Sequence, residues 1–208
     1  MKNFLFLPLI AVVVIFSSCN SVQKNKQELP ILGEKEFIEG IDKDTVYHTI
    51  PFWSFQNQEG EYISKEDYQG KVYVADFFFT HCPSVCPKML ENMKYAQQQL
   101  KGEDVLFLSH TVDPKDDTVE RLKWYTKKNN IDTQNWNFVT GEKQDLYELG
   151  VNGYLVSSQE DALAPGGFLH SEKFILVDGQ GRIRGMYDGT KKEQVDKMIN
   201  DARLLLDN

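Results

Sequence analysis

The stretch Lys71-Val-Tyr-Val-Ala-Asp-Phe-Phe-Phe-Thr-His-Cys-Pro-Ser-Val-Cys-Pro87 governs how the rest of the chain is read. Its first nine residues are almost continuously apolar and aromatic, as expected of a strand buried on both faces of a sheet. Pro87 to Leu100 then reads as a helix with a proline in its first turn. Cys82 and Cys86 therefore sit at a strand-to-helix junction, four residues apart. If the helix begins near Cys82, the pair shares one face with Cβ atoms about 5–6 Å apart. A helix N-terminus favours negative charge and lowers a thiol pKa. The same place thus suits two thiolates on one soft metal ion, or a reversible disulfide.

Upstream of this stretch, Tyr47 to Ile63 carries two short β-like runs around Asn57-Gln58-Glu59-Gly60, a hairpin signal. Downstream, Val105 to Leu108 is a second buried strand. Asp117-Thr-Val-Glu120 has the form of a capping box opening a helix with Val119, Leu122 and Tyr125 on one side. Trp136 to Val139 reads as a strand and Lys143 to Leu149 as a helix. Ser157 to Gly167 is polar, contains Gly and Pro, and is expected to be a long surface loop leading into His170. Phe174 to Val177 is a further strand, Asp178 to Gly181 a tight turn, and Arg182 to Tyr187 its partner strand. The C-terminal stretch places Val195, Met198, Ile199, Ala202 and Leu205 at helical spacing. Strands alternating with helices, closed by a hairpin and a helix, predict an α/β fold with a central mixed sheet flanked by helices and an N-terminal hairpin.

The N-terminus sets the expected compartment. Met1-Lys2-Asn3 is a short positive start, and Phe4 to Phe16 is apolar but too short for a comfortable membrane span. Ser17-Ser18-Cys19 follows and resembles the lipobox of bacterial lipoproteins, which implies cleavage before Cys19 and lipid attached to it. An uncleaved signal anchor is the alternative, and either arrangement tethers the protein outside the cytoplasm. The expected organisation is a signal peptide over 1–18, a lipidated Cys19 with a polar flexible tether over 19–44, and one domain over 45–208. The formal net charge is −8 and no basic stripe occurs, which argues against a nucleic-acid partner. With Cys19 lipidated, Cys82 and Cys86 are the two cysteines left. A disulfide between them would close a very small loop and add little stability, which points to a chemical role.

Phe79-Thr-His-Cys-Pro-Ser-Val-Cys-Pro87 is similar almost letter for letter to the Phe-Thr-x-Cys-Pro-x-x-Cys-Pro signature of the Sco (SenC) family. Ser109-His-Thr-Val-Asp-Pro-Lys-Asp-Asp-Thr118 resembles the family's Ser-x-Asp-Pro-x-x-Asp-Thr-Pro segment. Gly167-Phe-Leu-His170, with Phe174 to Asp178 and Gly181, resembles its histidine loop and the strand and turn after it. The resemblance runs from about Ile50 to the C-terminus. It departs at Val119, where the family has Pro, at the additional His110, and at Asp76, a position otherwise small or apolar. The resemblance implies a thioredoxin-like fold and a copper-binding protein of cytochrome c oxidase assembly. It implies Cys82, Cys86 and His170 as the ligands of Cu(I) or Cu(II), and delivery to the binuclear site of oxidase subunit II. The chemistry agrees: thiolates select Cu(I), an imidazole suits both oxidation states, and three ligands leave the site open for release. A monomer on a lipid tether, facing the periplasm from the cell envelope, is the expected state.

A second function from the same two thiols is a thiol–disulfide oxidoreductase acting on a partner's cysteines, although such enzymes use Cys-x-x-Cys and need no distal histidine. A peroxidase ranks last, since Thr80 lies two residues before Cys82 where peroxiredoxins have three. His81 is expected to pack, because a neighbour on an extended chain points away from Cys82. His110 follows a strand end near the same edge of the sheet and reads as an ordinary surface histidine ahead of an auxiliary ligand, and His48 has no partner suggested. Asp113, Asp116 and Asp117 read as turn and cap residues better than as a hard-cation loop. Asp76 inside an apolar strand requires a partner, either near the cysteines or at a polar edge.

Overall fold

The structure is a computed structural model and describes residues 28–37, 45–161 and 167–207. The expected signal peptide, Cys19 and the start of the tether lie outside them. A short antiparallel pair, β1 (Lys35–Phe37) and β2 (Thr45–Tyr47), precedes the main sheet. Next come β3 (Ser54–Asn57), β4 (Tyr62–Ser64) and a 3-10 turn over Lys65–Tyr68. The hairpin expected around Asn57 to Gly60 is present. The Asn57 Oδ1 accepts the amides of Glu59 and Glu61 at 2.9 and 3.0 Å, and Gly60 takes the φ of +82° that the turn requires.

The decisive stretch forms β5 (Val72–Phe78), buried at every residue, followed by α1 (Cys86–Gln99). Then follow β6 (Val105–Thr111), α2 (Val119–Lys128), β7 (Trp136–Thr140) and α3 (Lys143–Glu148), which runs on into a π turn over Leu149–Gly153. The chain ends with β8 (Ser158–Glu160), β9 (Phe168–His170), β10 (Lys173–Val177), β11 (Ile183–Asp188) and α4 (Lys192–Leu206). Among the described residues seven strands form one sheet in the order β11-β10-β5-β6-β7-β3-β4. β5, β6 and β7 are parallel to one another and the outer pairings are antiparallel, so the sheet is mixed as expected. α4 packs on α1 and covers β5, β10 and β11, burying Val195, Met198, Ile199 and Ala202.

Three local expectations change. The strand read over Val105 to Leu108 continues to Thr111, which carries polar Ser109 and His110 into the sheet. The helix cap is Thr118, whose Oγ1 accepts the Arg121 amide at 3.3 Å, one residue after the expected cap at Asp117. The expected loop over Ser157 to Gly167 contains β8, which pairs antiparallel with β9. Its Ser-Gln-Glu sequence has no apolar alternation to announce a strand, because the pairing is carried by main-chain bonds. Residues 28–37, within the segment read as tether, run along the domain. Leu29 is buried, the Leu32 amide donates to the Ile183 carbonyl at 2.9 Å, and Arg184 donates to the carbonyls of Leu29 and Pro30.

Candidate metal centre

The two cysteines meet where β5 ends. α1 begins at Cys86, with Pro87 in its first turn, so Cys82 stands in the preceding turn and not on the helix. The turn, with the Cys82 amide donating to the Phe79 carbonyl at 3.3 Å, replaces the one-face helical register expected from the spacing. It brings the thiols of Cys82 and Cys86 within hydrogen-bonding reach of each other. Cys86 belongs to the core and is 4% exposed, whereas Cys82 is half-buried and its Sγ lies 3.6 Å from the Ser84 hydroxyl. Both open towards a cleft walled by Leu90, Lys94, Trp124 and Lys128.

The electrostatics of Cys86 run against the expected thiolate. Its pKa is pushed well above the ordinary thiol value, first by the hydrogen bond with Cys82, then by burial, with a smaller contribution from the charge of Asp76. A backbone bond from Phe79 pulls the other way but loses. The first position of α1 therefore does not keep Cys86 ionised, because its side chain is turned into the core. A soft cation between the two sulfurs would displace that proton, so ion uptake here is coupled to proton release.

The loop holding the cysteines is latched from behind. Asp117, fully buried, accepts the Thr80 amide at 3.1 Å, the Thr80 hydroxyl at 2.6 Å and the Thr111 hydroxyl at 2.6 Å. Arg121 Nε donates to the Thr80 Oγ1 at 2.9 Å. The sequence reading assigned Asp117 to a cap and missed this role. The only signal for it is the parallel β5–β6 register, which ends at Phe78 opposite Thr111.

Asp76 is buried, accepts the Ser109 hydroxyl at 2.5 Å across the same register, and shares a small internal cavity with Cys86. Ser109 also accepts from the Trp136 indole at 2.9 Å. The carboxylate thus faces the interior beside the cysteines, not a polar edge. His110 corrects the surface expectation: it is 0% exposed. Its ring stacks on Phe77 at 4.9 Å, with Tyr154 at 5.1 Å and Trp53 at 5.9 Å. Neither of its ring nitrogens has a hydrogen-bond partner among the described residues, and the Asp76 main chain lies beside it without the geometry of a bond. Burial lowers its pKa to about 3. His48 donates to the Gly153 carbonyl at 2.7 Å. His81 packs edge-on to Phe79 at 5.0 Å, as expected, and its Nε2 lies 3.6 Å from Asp113 Oδ2. The main chain of His170 closes β9 opposite Ser158, and its side chain lies outside the described residues. No helix among the described residues is long and apolar enough to cross a membrane.

With this geometry in place, comparison with known proteins identifies the relatives. The family model described as SCO1/SenC matches residues 42–206. A SCO1/SenC family lipoprotein from Bacillus anthracis is 35% identical with a TM-score of 0.70, covering 76% of this chain and 95% of its own. BsSco, solved in work on a disulfide switch and described as a member of the Sco family of cytochrome c oxidase assembly proteins, is 30% identical. Its TM-score is 0.69, with 79% of this chain and 96% of its own covered. The fold is also that of ScoI from Bradyrhizobium japonicum, solved with copper bound, at 20% identity and a TM-score of 0.64. That match covers 76% of this chain and 99% of the other.

Proposed function

The chain belongs to the SCO1/SenC family, and on that premise we propose that it is a copper carrier that holds the ion through Cys82, Cys86 and His170. The observation that carries this reading is the meeting of two thiols, one buried and one half-exposed, at the mouth of a cleft. The donor set fits: sulfur is the ligand type that prefers Cu(I), and an added imidazole extends the fit to Cu(II). Copper here is cargo. Cys82, on the outer side, is the ligand an acceptor would reach first, while Cys86 keeps the second sulfur sheltered from water and oxidant. With His170 as the third ligand the set stays short of four, which leaves room for an incoming ligand during hand-over.

The acceptor in this reading is the binuclear copper centre of cytochrome c oxidase subunit II, in line with the role stated for BsSco. The protein works as a monomer, anchored by lipid on Cys19 and facing the periplasm. The sequence from Met1 to Cys19 and the lipoprotein nature of the Bacillus anthracis relative support that anchoring. The test is metal retention: reduced protein loaded with Cu(I) or Cu(II) is freed of excess ion and assayed beside Cys82→Ser, Cys86→Ser and His170→Ala. One copper per chain, lost in all three variants, is the expected result. No copper on the fully reduced parent would overturn the reading.

A second reading rests on the same contact. Two thiols within hydrogen-bonding reach are also the pair that a reversible disulfide would join, so the protein would reduce a partner's cysteines before metallation. The two electrons come from Cys82 and Cys86, which end as a disulfide. His170→Ala separates the activities, since disulfide exchange would persist after copper binding is lost.

A further inference from the structure

The turn after β6 returns to the same end of the sheet as the cysteine loop. There His81, Asp113 and Asp116 bring one imidazole nitrogen and two carboxylate oxygens within 4.8 Å of one another. The Asp113 side chain is only 8% exposed, that of His81 39%, and Asp116 lies at the surface. The His81 Nε2 to Asp113 Oδ2 separation of 3.6 Å is too long for a hydrogen bond. Two ligands each about 2.1 Å from one ion, at a tetrahedral or slightly wider angle, stand roughly 3.4–3.6 Å apart.

We propose that His81, Asp113 and Asp116 form a second metal site, separate from the thiol pair, for a borderline divalent cation such as Zn(II) or Cu(II). The nitrogen donor disfavours calcium and magnesium, which take oxygen ligands, and the absence of sulfur from the set disfavours Cu(I). Water completes the coordination on the exposed side.

The three groups are held in place before any ion arrives. The His81 ring is fixed by the edge of Phe79 at 5.0 Å and by Phe168 at 6.4 Å. The turn is closed by the amides of Asp116 and Asp117 donating to the Asp113 carbonyl at 3.2 and 2.9 Å. Asp117 is excluded from the set, because its carboxylate is taken up by Thr80 and Thr111. Burial and the neighbouring charges of Asp116 and Asp117 raise the Asp113 carboxyl pKa. A divalent ion would relieve that repulsion. His81 precedes Cys82 directly, so the site borders the thiol pair without sharing a donor with it.

The test uses the full chain carrying Cys82→Ser and Cys86→Ser, which removes the thiol pair, titrated with Zn(II) alone by calorimetry. One equivalent is expected to bind. Adding His81→Ala or Asp116→Asn, both at exposed positions, should weaken it at least tenfold. Asp113→Asn should do the same, provided its unfolding midpoint matches the parent. No Zn(II) binding in the chain lacking Cys82 and Cys86, or binding indifferent to His81→Ala, means that His81 and Asp113 form an ion pair only and overturns the proposal. Neither outcome touches the copper reading, whose own test is run with the cysteines intact.

Discussion

The carboxylate of Asp117 grips Thr80 at both its amide (3.1 Å) and its hydroxyl (2.6 Å), across 37 positions of sequence. Because Thr80 is two residues before Cys82, this contact fixes where the cysteine loop leaves the sheet. Asp117→Ala strands two hydroxyl donors and an amide in a buried place, and bonds to a charged acceptor are among the stronger ones. A loss on the order of 3 kcal/mol in urea unfolding is expected. A loss below about 1 kcal/mol would mean that the latch is not a principal support.

His110 makes the protein acid-sensitive in a defined window. Its pKa is about 3 in the folded state against 6.5 when unfolded, so the unfolded chain binds the proton first as pH falls. Folded stability should therefore drop from pH 6.5 towards pH 3, by up to about 1.4 kcal/mol per pH unit from this one group. His110→Phe keeps a ring stacked on Phe77 and removes two buried nitrogens without partners. The variant should be more stable than the parent at pH 7 by about 1–3 kcal/mol, and its pH dependence should be shallower. Parallel pH profiles for parent and variant would refute this assignment.

Much of the architecture was legible from apolar runs, because a strand such as Val72 to Phe78, buried at every residue, is apolar or aromatic at all but Asp76. The amphipathic spacing of Val195, Met198 and Ile199 likewise announced α4. The thiol pair was legible from four-residue spacing and location, although the turn, not the helix, joins the two sulfurs. What stayed hidden depends on register. Nothing local to His110 states that β6 extends three residues past Leu108 and lays that ring on Phe77. Asp76 finds Ser109, and Asp117 finds Thr80, only once β5 and β6 lie parallel. The main-chain pairing of β8 with β9 has no side-chain pattern to read.

The two cysteines should differ in reactivity. Cys82 is half-buried, whereas Cys86 is 4% exposed and its pKa is raised by the bond to Cys82 and by burial. Since the thiolate is the reacting species, iodoacetamide near neutral pH should label Cys82 first and Cys86 at least tenfold more slowly. Peptide mapping by mass spectrometry reads the order. Asp76→Asn, which removes a neighbouring negative charge, should speed the Cys86 reaction and shift its pH profile downward. Equal labelling rates would contradict the buried, protonated state of Cys86.

Asp178 ties the C-terminal hairpin to the N-terminal segment. Its side chain is 8% exposed and pairs with Arg182 and with Arg184, and it also accepts the amides of Gln180 and Arg182 at 3.0 Å. Burial alone would raise its pKa, but the bonds from Arg182 and Arg184 outweigh it and bring the carboxyl below its ordinary 3.8. The folded pKa is depressed, so the stabilisation is complete above the unfolded value of 3.8 and is lost as pH falls from there through the lower folded value. Arg184, oriented by this carboxylate, in turn holds the carbonyls of Leu29 and Pro30. Asp178→Asn leaves two guanidinium groups without their counter-charge and should cost about 3 kcal/mol. It should also speed hydrogen exchange of the Leu32 amide, which bonds to the Ile183 carbonyl beside the same strand. Arg184→Ala should loosen Leu32 to a similar degree while leaving the Asp178 to Arg182 turn closed. If Leu32 exchanges at the parental rate in both variants, the N-terminal segment is held by its apolar contacts, and the Arg184 clamp contributes nothing measurable.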